Sequence, residues 1–273
     1  MKNNQAYWQR RDILAREHLL DRLIEQSEKD IKALLLRLRD KYIDKIEALA
    51  LQIEKGHLKS INPYYLFNRY NKLLVSLDKE LRKMGVSTIN LLSSAMKKIF
   101  VTTESIMKND FPVPFTSQAS IEDIINSEWV GDGKRWSQRI WENEALLSSK
   151  IQEGLLQMFA GAITGEQLTQ DIEKAFSTNY YRASRIVRTE YVHVANVAVM
   201  NRFTSLGLQH YQWLSAIHNE RTCKECLELN GQVFPVGDTA SPIPPGHCFC
   251  RCTIIPVEEE LIDALKNIQE DKQ

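Results

Sequence analysis

The residues best equipped for chemistry lie together near the end of the chain. Cys223-Lys224-Glu225-Cys226 is followed by an interval spanning residues 227–246 and then by His247-Cys248-Phe249-Cys250-Arg251-Cys252, and these hold all five cysteines of the 273-residue sequence. An odd number of thiols cannot be fully paired within one chain, and disulfides are disfavoured in a reducing cytosol, so metal ligation is the reading that the cluster supports. Two short knuckles separated by a loop are what a tetrahedral zinc ion requires, because each knuckle offers soft donors on a tight turn and the ion closes the loop between them. Thiolate and imidazole donors select zinc over magnesium or calcium. Cys223 and Cys226 form the firm pair. His247 and Cys250 form the second, with Cys252 as the leading substitute and Cys248 as the weakest candidate. Four protein ligands leave no open position, so the expected ion is one structural Zn2+ per chain.

An enzymatic use of the ion meets an obstacle in the order of the residues. Zinc deaminases carry H-x-E before P-C-x-x-C, whereas here the Cys pair comes first and His247 is followed by Cys248 and Phe249. A general acid or base is therefore not supplied, and no further histidine or acidic cluster flanks the second knuckle as a zinc nuclease would need. No catalytic residue and no enzyme is expected. Arg185, Arg188, Thr189, Glu190 and Asn196 form a second group on the helix that precedes the module. Of these, Arg188, Glu190 and Asn196 are expected to support the module by hydrogen-bonding its loop backbone.

The elements that must position these groups are mostly helical. Residues 12–55 contain no Pro or Gly, and Leu20, Leu23, Ile24, Ile31, Leu34, Leu35, Leu38, Tyr42, Ile46, Leu49 and Ile53 recur at helical spacing. That predicts one amphipathic helix of roughly 65 Å at 1.5 Å per residue, ending at Gly56. Asn62-Pro63 opens a second helix that should stop at Gly85, and Ser87 and Thr88 cap a third over residues 89–108. Phe111-Pro112-Val113-Pro114-Phe115 cannot continue a helix and marks a boundary. Beyond it, Ser120-Ile121-Glu122-Asp123 resembles a capping box, and helices are expected over residues 134–160, 166–176 and 180–206, the last stopped by Gly207. Residues 209–214 alternate as a strand does. The fold class is mainly α: a long helical N-terminal region (1–110), a helical middle (111–206), a small α+β Cys/His module (207–257) and a C-terminal tail (258–273).

Composition narrows the partners. Lys and Arg number 35 and Asp and Glu 35, so the net charge is zero and the chain has no overall basic field for nucleic acid. Any DNA contact must be local, and Lys134-Arg135-Trp136-Ser137-Gln138-Arg139 reads equally well as an exposed helix face. Apolar runs are too short to span a bilayer, and Met1-Lys2-Asn3-Asn4 leads into charged sequence with no targeting pattern, so the protein is expected in the cytosol when made.

Residues from about Trp136 to Pro256 resemble the phage head morphogenesis family, named for the F protein of phage Mu. The resemblance is carried by Arg188-Thr189-Glu190, Asn196, Gly207, Trp213, Arg221-Thr222-Cys223, Cys226, Gly231, Phe234, Pro244-Pro245, His247 and Cys250-Arg251-Cys252. Asn219 stands where the family usually has Asp, and Cys248 where it usually has Pro. The resemblance implies a minor head protein of a tailed phage that lies beside the portal protein, contacts other head proteins, and acts in head assembly or DNA delivery. It would be made in the host cytoplasm and end inside the virion head, with no membrane and no small-molecule substrate. The alternative is a zinc-dependent nucleic-acid-binding protein or nuclease working on phage DNA.

Overall fold

The computed structural model describes residues 7, 10–11, 16–54, 63–108, 112–216 and 222–270. A π-helical turn, Arg16–Leu20, leads into α1 (Asp21–Glu54), followed by α2 (Pro63–Met107), α3 (Gln118–Ile125), α4 (Trp136–Phe159), α5 (Gly165–Ser205), β1 (His210–Leu214), α6 (Lys224–Leu229), β2 (Val233–Pro235), β3 (Thr253–Pro256) and α7 (Glu258–Glu270). The fold is mainly helical with one small sheet. Among the described residues, no helix is long and apolar enough to cross a membrane. Gly56, Asn62, Phe111, Asn219 and Arg221 lie outside the described residues.

The chain forms two compact units, each drawing on separated stretches. One comprises Met1–Gln26, Ser93–Trp129 and Arg185–Gln273; the other comprises Ser27–Leu92 and Val130–Ser184. In the second unit the stripe expected along α1 is buried at Ile31, Leu35, Leu38, Tyr42, Ile46 and Leu49. It packs on α2, where the Tyr42 hydroxyl donates to Ser76 Oγ at 3.1 Å and Lys41 pairs with Glu80 at 3.2 Å.

Three expected boundaries differ from the structure. Gly85 does not end a helix: α2 continues through Ser87 and Thr88 to Met107. The reason is a close approach, because a Cβ on Gly85 would stand 2.4 Å from the Trp141 ring of α4. Residues 177–179 do not interrupt α5 either. Thr178 Oγ1 donates to the Lys174 carbonyl one turn back, and buried Asn179 donates from Nδ2 to the Asn143 carbonyl at 3.0 Å, so polar groups that favour turns find partners within the helix and on its neighbour. The cap of α3 is Ser117, whose hydroxyl accepts the Ser120 N–H at 3.2 Å. Ser120 itself lies inside the helix.

In the first unit, the end of α5 supports the sheet. The strand order is β2-β1-β3, antiparallel throughout, with Tyr211 opposite Phe234 on one side and Trp213 opposite Ile254 on the other. Met200, Phe203 and Leu206 pack with Tyr211, Leu214, Ile254 and Ile255 in a common core that also takes Met107. Fully buried Arg202 donates to the Val113 and Pro114 carbonyls at 2.8 and 3.0 Å, while Glu104 accepts the Thr116 N–H and hydroxyl. The proline-containing segment is thereby held against α2 and α5.

Candidate metal centre

Strand β1 sets one wall of the centre. Its alternation sends Trp213 inward, where the ring is fully buried against Cys226, Cys250 and Cys252. Backbone bonds from Gly231 N to Trp213 O (2.8 Å) and from Trp213 N to Gln232 O (2.9 Å) bring the turn after α6 beside the strand. Cys223 caps helix α6, its Sγ accepting the Cys226 N–H at 3.4 Å. This places both sulfurs of the first knuckle on the same side of a single turn.

The second knuckle is a turn closed by Cys250 N–H donating to the His247 carbonyl at 3.1 Å. Phe249, inside that turn, has φ 63°, a conformation in the left-handed region that side chains other than glycine adopt infrequently. His247 Nδ1 lies 2.8 Å from the Cys248 carbonyl. A carbonyl can only accept, so Nδ1 carries the proton and Nε2 is left with its lone pair, the arrangement a metal-binding imidazole needs. Nε2 lies 3.2 Å from Cys223 Sγ and 3.3 Å from Cys226 Sγ, and Cys226 Sγ is 3.8 Å from Cys250 Sγ.

The donor atoms fall into two triads that share Cys226, namely Cys223, Cys226 and His247, and Cys226, Cys250 and Cys252; within each triad all lie within 4.8 Å of one another. Cys248 is exposed and belongs to neither. The thiols also compete electrostatically. The hydrogen bond from Cys250 holds Cys252 down to about 5, assisted by the Ala216 N–H; that same bond pushes Cys250 up, and burial pushes Cys226 up. One thiolate is accommodated, and further ones are opposed. Soft thiolate and imidazole donors this close together fit a metal ion, whose charge would hold the thiols deprotonated.

Of the supporting residues expected from the sequence, Asn196 reaches the module directly. It is buried on α5, donates from Nδ2 to the Cys252 carbonyl at 3.2 Å and accepts the Thr253 hydroxyl on Oδ1 at 2.9 Å. Arg188 lines the cleft that holds the donors, as does Arg251. Thr189 Oγ1 lies 3.5 Å from the Phe249 N–H. Glu190 is buried and accepts the Trp129 indole N–H at 2.8 Å, and the Trp129 ring stacks on His193.

Ser215 and Asn230 are parts of the centre that no spacing in the sequence announces. The Ser215 hydroxyl takes the Trp213 indole N–H at 3.2 Å and donates to the Cys226 carbonyl, while its own N–H goes to Asn230 Oδ1 at 2.9 Å. These bonds fix the first knuckle to the strand.

No curated protein and no solved structure matches the chain. A family model does match, over residues 149–255, which begin in the second half of α4 and run through α5, both knuckles and most of β3. The segment that builds the centre, together with the helix beneath it, is therefore similar to the family described as Phage Mu protein F like protein.

Proposed function

We propose that the chain is a minor head protein of a tailed bacteriophage, associated with the portal, and that Cys223, Cys226, His247 and Cys250 hold one structural zinc ion. The family match over residues 149–255 carries the head-protein reading, and the convergence of His247 Nε2 on two thiols carries the metal. Cys252, in the second triad, is the alternative fourth ligand. Bound zinc supplies cross-links between knuckles that a sheet of three short strands cannot otherwise tie. Arg188, Glu190 and Asn196 support the module from α5, with no catalytic step assigned to any of them. The four sequence segments, 1–110, 111–206, 207–257 and 258–273, stand as a proposal for functional division, with residues 207–257 as the metal-binding part.

In this reading the protein is made in the host cytoplasm, enters the head with the portal and other head proteins, and acts in assembly or DNA delivery. Copurification with portal protein from procapsids tests it, and a protein excluded from heads would overturn it. Metal analysis of chelator-free protein should give about one zinc per chain, as a single four-ligand site demands. A second reading, a zinc protein acting on DNA, draws on Arg188 and Arg251 in the cleft beside the donors. Binding to duplex or single-stranded DNA with a steep salt dependence, or metal-dependent cleavage, would favour that reading over the first.

A further inference from the structure

The first turns of α1 meet the second knuckle. Asp21 opens that helix after the π-helical turn Arg16–Leu20, and Leu20 and Ile24, one turn apart on a single helix face, are both buried. They face Val192 of α5 and, from the knuckle, Phe249, Cys250 and Arg251, all within the first unit. The gap that these side chains enclose is about 40 Å3, too small for any ligand larger than water, so knuckle and helix are close neighbours. Asp21 Oδ1 adds an ion pair with Arg251 Nη2 at 3.9 Å, but both side chains are partly exposed and the pair alone holds little. On its other side the same turn is loosely packed. Leu19 and Leu20 border a cavity of about 90 Å3 walled by residues of α2, α5 and β3, and side chains that line a void forgo the dispersion contacts that would hold them.

The knuckle is poorly equipped to keep its shape unaided. Phe249, at φ 63°, stands between His247 and Cys250, and a bulky residue stays in the left-handed region only where its surroundings impose it. The Cys250 N–H closes the turn on the His247 carbonyl at 3.1 Å, while the bond from the Phe249 N–H to Thr189 Oγ1 is stretched to 3.5 Å. Ligation of His247 and Cys250, on either side of Phe249, would supply the missing restraint. The side chain that the donors hold in place is thus the one that reaches α1.

We propose that metal occupancy controls the start of α1: the loaded centre fixes Phe249 and Arg251 against Leu20, Asp21 and Ile24, and loss of the ion frees residues 16–26. The inference rests on the zinc reading. The coupling runs both ways, because a contact that the ion strengthens must itself strengthen binding of the ion. Hydrogen exchange with mass spectrometry on the full chain, zinc-loaded and then stripped by a chelator under reducing conditions, tests it. Exchange over residues 16–26 should rise about tenfold or more on stripping, while Met96 and Phe100 of α2, buried in the same unit, keep their protection. Ile24→Ala touches no donor, yet it should speed the same exchange in loaded protein and weaken zinc binding about threefold or more against a chromogenic chelator, at unchanged stoichiometry. Phe249→Gly, which removes the ring and suits the left-handed backbone, should keep the zinc and free residues 16–26. A chain that takes up no zinc overturns the zinc reading and this inference with it. Zinc uptake with the same exchange over residues 16–26 in both forms overturns the inference alone, as does an equal rise at Met96 and Phe100, which would mean that the whole unit opens. Ile24→Ala or Phe249→Gly protein in which the first turns of α1 exchange as in the loaded wild type would also overturn it, as would Ile24→Ala protein that exchanges faster but binds zinc undiminished.

Discussion

Along α1, Ile31, Leu35, Leu38, Tyr42, Ile46 and Leu49 are buried at three- and four-residue steps, and α2 answers with Leu77, Leu81, Met84 and Leu92. The interior of the Cys/His module is built differently: around Trp213 the buried neighbours are the thiols of Cys226, Cys250 and Cys252, with Leu229 and Phe234 at the margin. Burying a leucine or isoleucine contributes about 1.5–3 kcal/mol by removing apolar surface from water, and the helical unit accumulates many such contributions. The knuckle side of the module has few such side chains, because Tyr211, Leu214, Ile254 and Ile255 lie in the separate cluster with the end of α5. Its ordering is expected to come from ligation, and the two regions should therefore fail for different reasons.

The largest expected effect follows from that contrast. Cys226→Ser removes the sulfur common to both donor triads, and the region after Gly207 should lose its protease resistance and its bound metal together. Apparent stabilisation by a structural zinc is roughly 10–16 kcal/mol in small metal-dependent folds, more than the few apolar side chains beside the thiols around Trp213 supply. Helical circular dichroism should change little. Limited proteolysis with mass spectrometry reads the outcome, and a Cys226→Ser protein as resistant as the wild type would show that the module does not depend on ligation. Cys248→Ser, at the exposed thiol, should leave both measurements unchanged.

The helical unit should instead respond to pH through Glu144. Burial raises this carboxyl to about 8 from an ordinary 4.5, and one of its oxygens has no hydrogen-bond partner. The folded chain keeps a proton that the unfolded chain releases, so the stability it contributes is fully present below about 4.5 and is lost as pH rises through about 8. The total change is on the order of 5 kcal/mol. Glu144→Gln should flatten this slope and raise the midpoint of urea unfolding at pH 8. A wild-type midpoint that does not fall between pH 5 and pH 8 more than the Gln variant's would exclude a neutral buried Glu144.

Asn196 gives an intermediate test at the join between helix and module. Replacing it with Leu strands the Cys252 carbonyl and the Thr253 hydroxyl, at a cost of about 1–3 kcal/mol. Metal competition against a chromogenic chelator should then show weaker binding with unchanged stoichiometry. Unaltered affinity together with lowered thermal stability would assign Asn196 to packing alone.

How far the sequence discloses this molecule depends on the distance over which each feature is decided. The α1 stripe and the Cys/His knuckles are legible because their information lies in the spacing of neighbouring residues. Ser215 and Asn230 are not, since their work is to bond backbone groups that the turn after α6 brings alongside β1. The continuity of α5 at Asn179 was hidden for a similar reason, its partner Asn143 being 36 positions away. In each of these cases a local preference for a turn or loop is outweighed by a contact that exists only after packing.

Gly85 is the sharpest instance, and it yields the smallest but most discriminating prediction. Glycine inside a helix is disfavoured by about 1 kcal/mol relative to alanine, so on propensity alone Gly85→Ala should stabilise α2. The added Cβ would stand 2.4 Å from the nearest carbon of the Trp141 ring and 3.0 Å from two more. Overpacking of this kind costs about 1–3 kcal/mol, which exceeds the gain, and Gly85→Ala should therefore lower the thermal midpoint. In a Trp141→Ala background the obstacle is gone and the propensity term remains, so the same substitution should raise the midpoint. The sign reversal between the two backgrounds separates close approach from helix termination. If Gly85→Ala stabilises both, the ring moves aside freely and the glycine is not held there by packing; if it destabilises both, α2 bends or ends at this position as the sequence alone would have it.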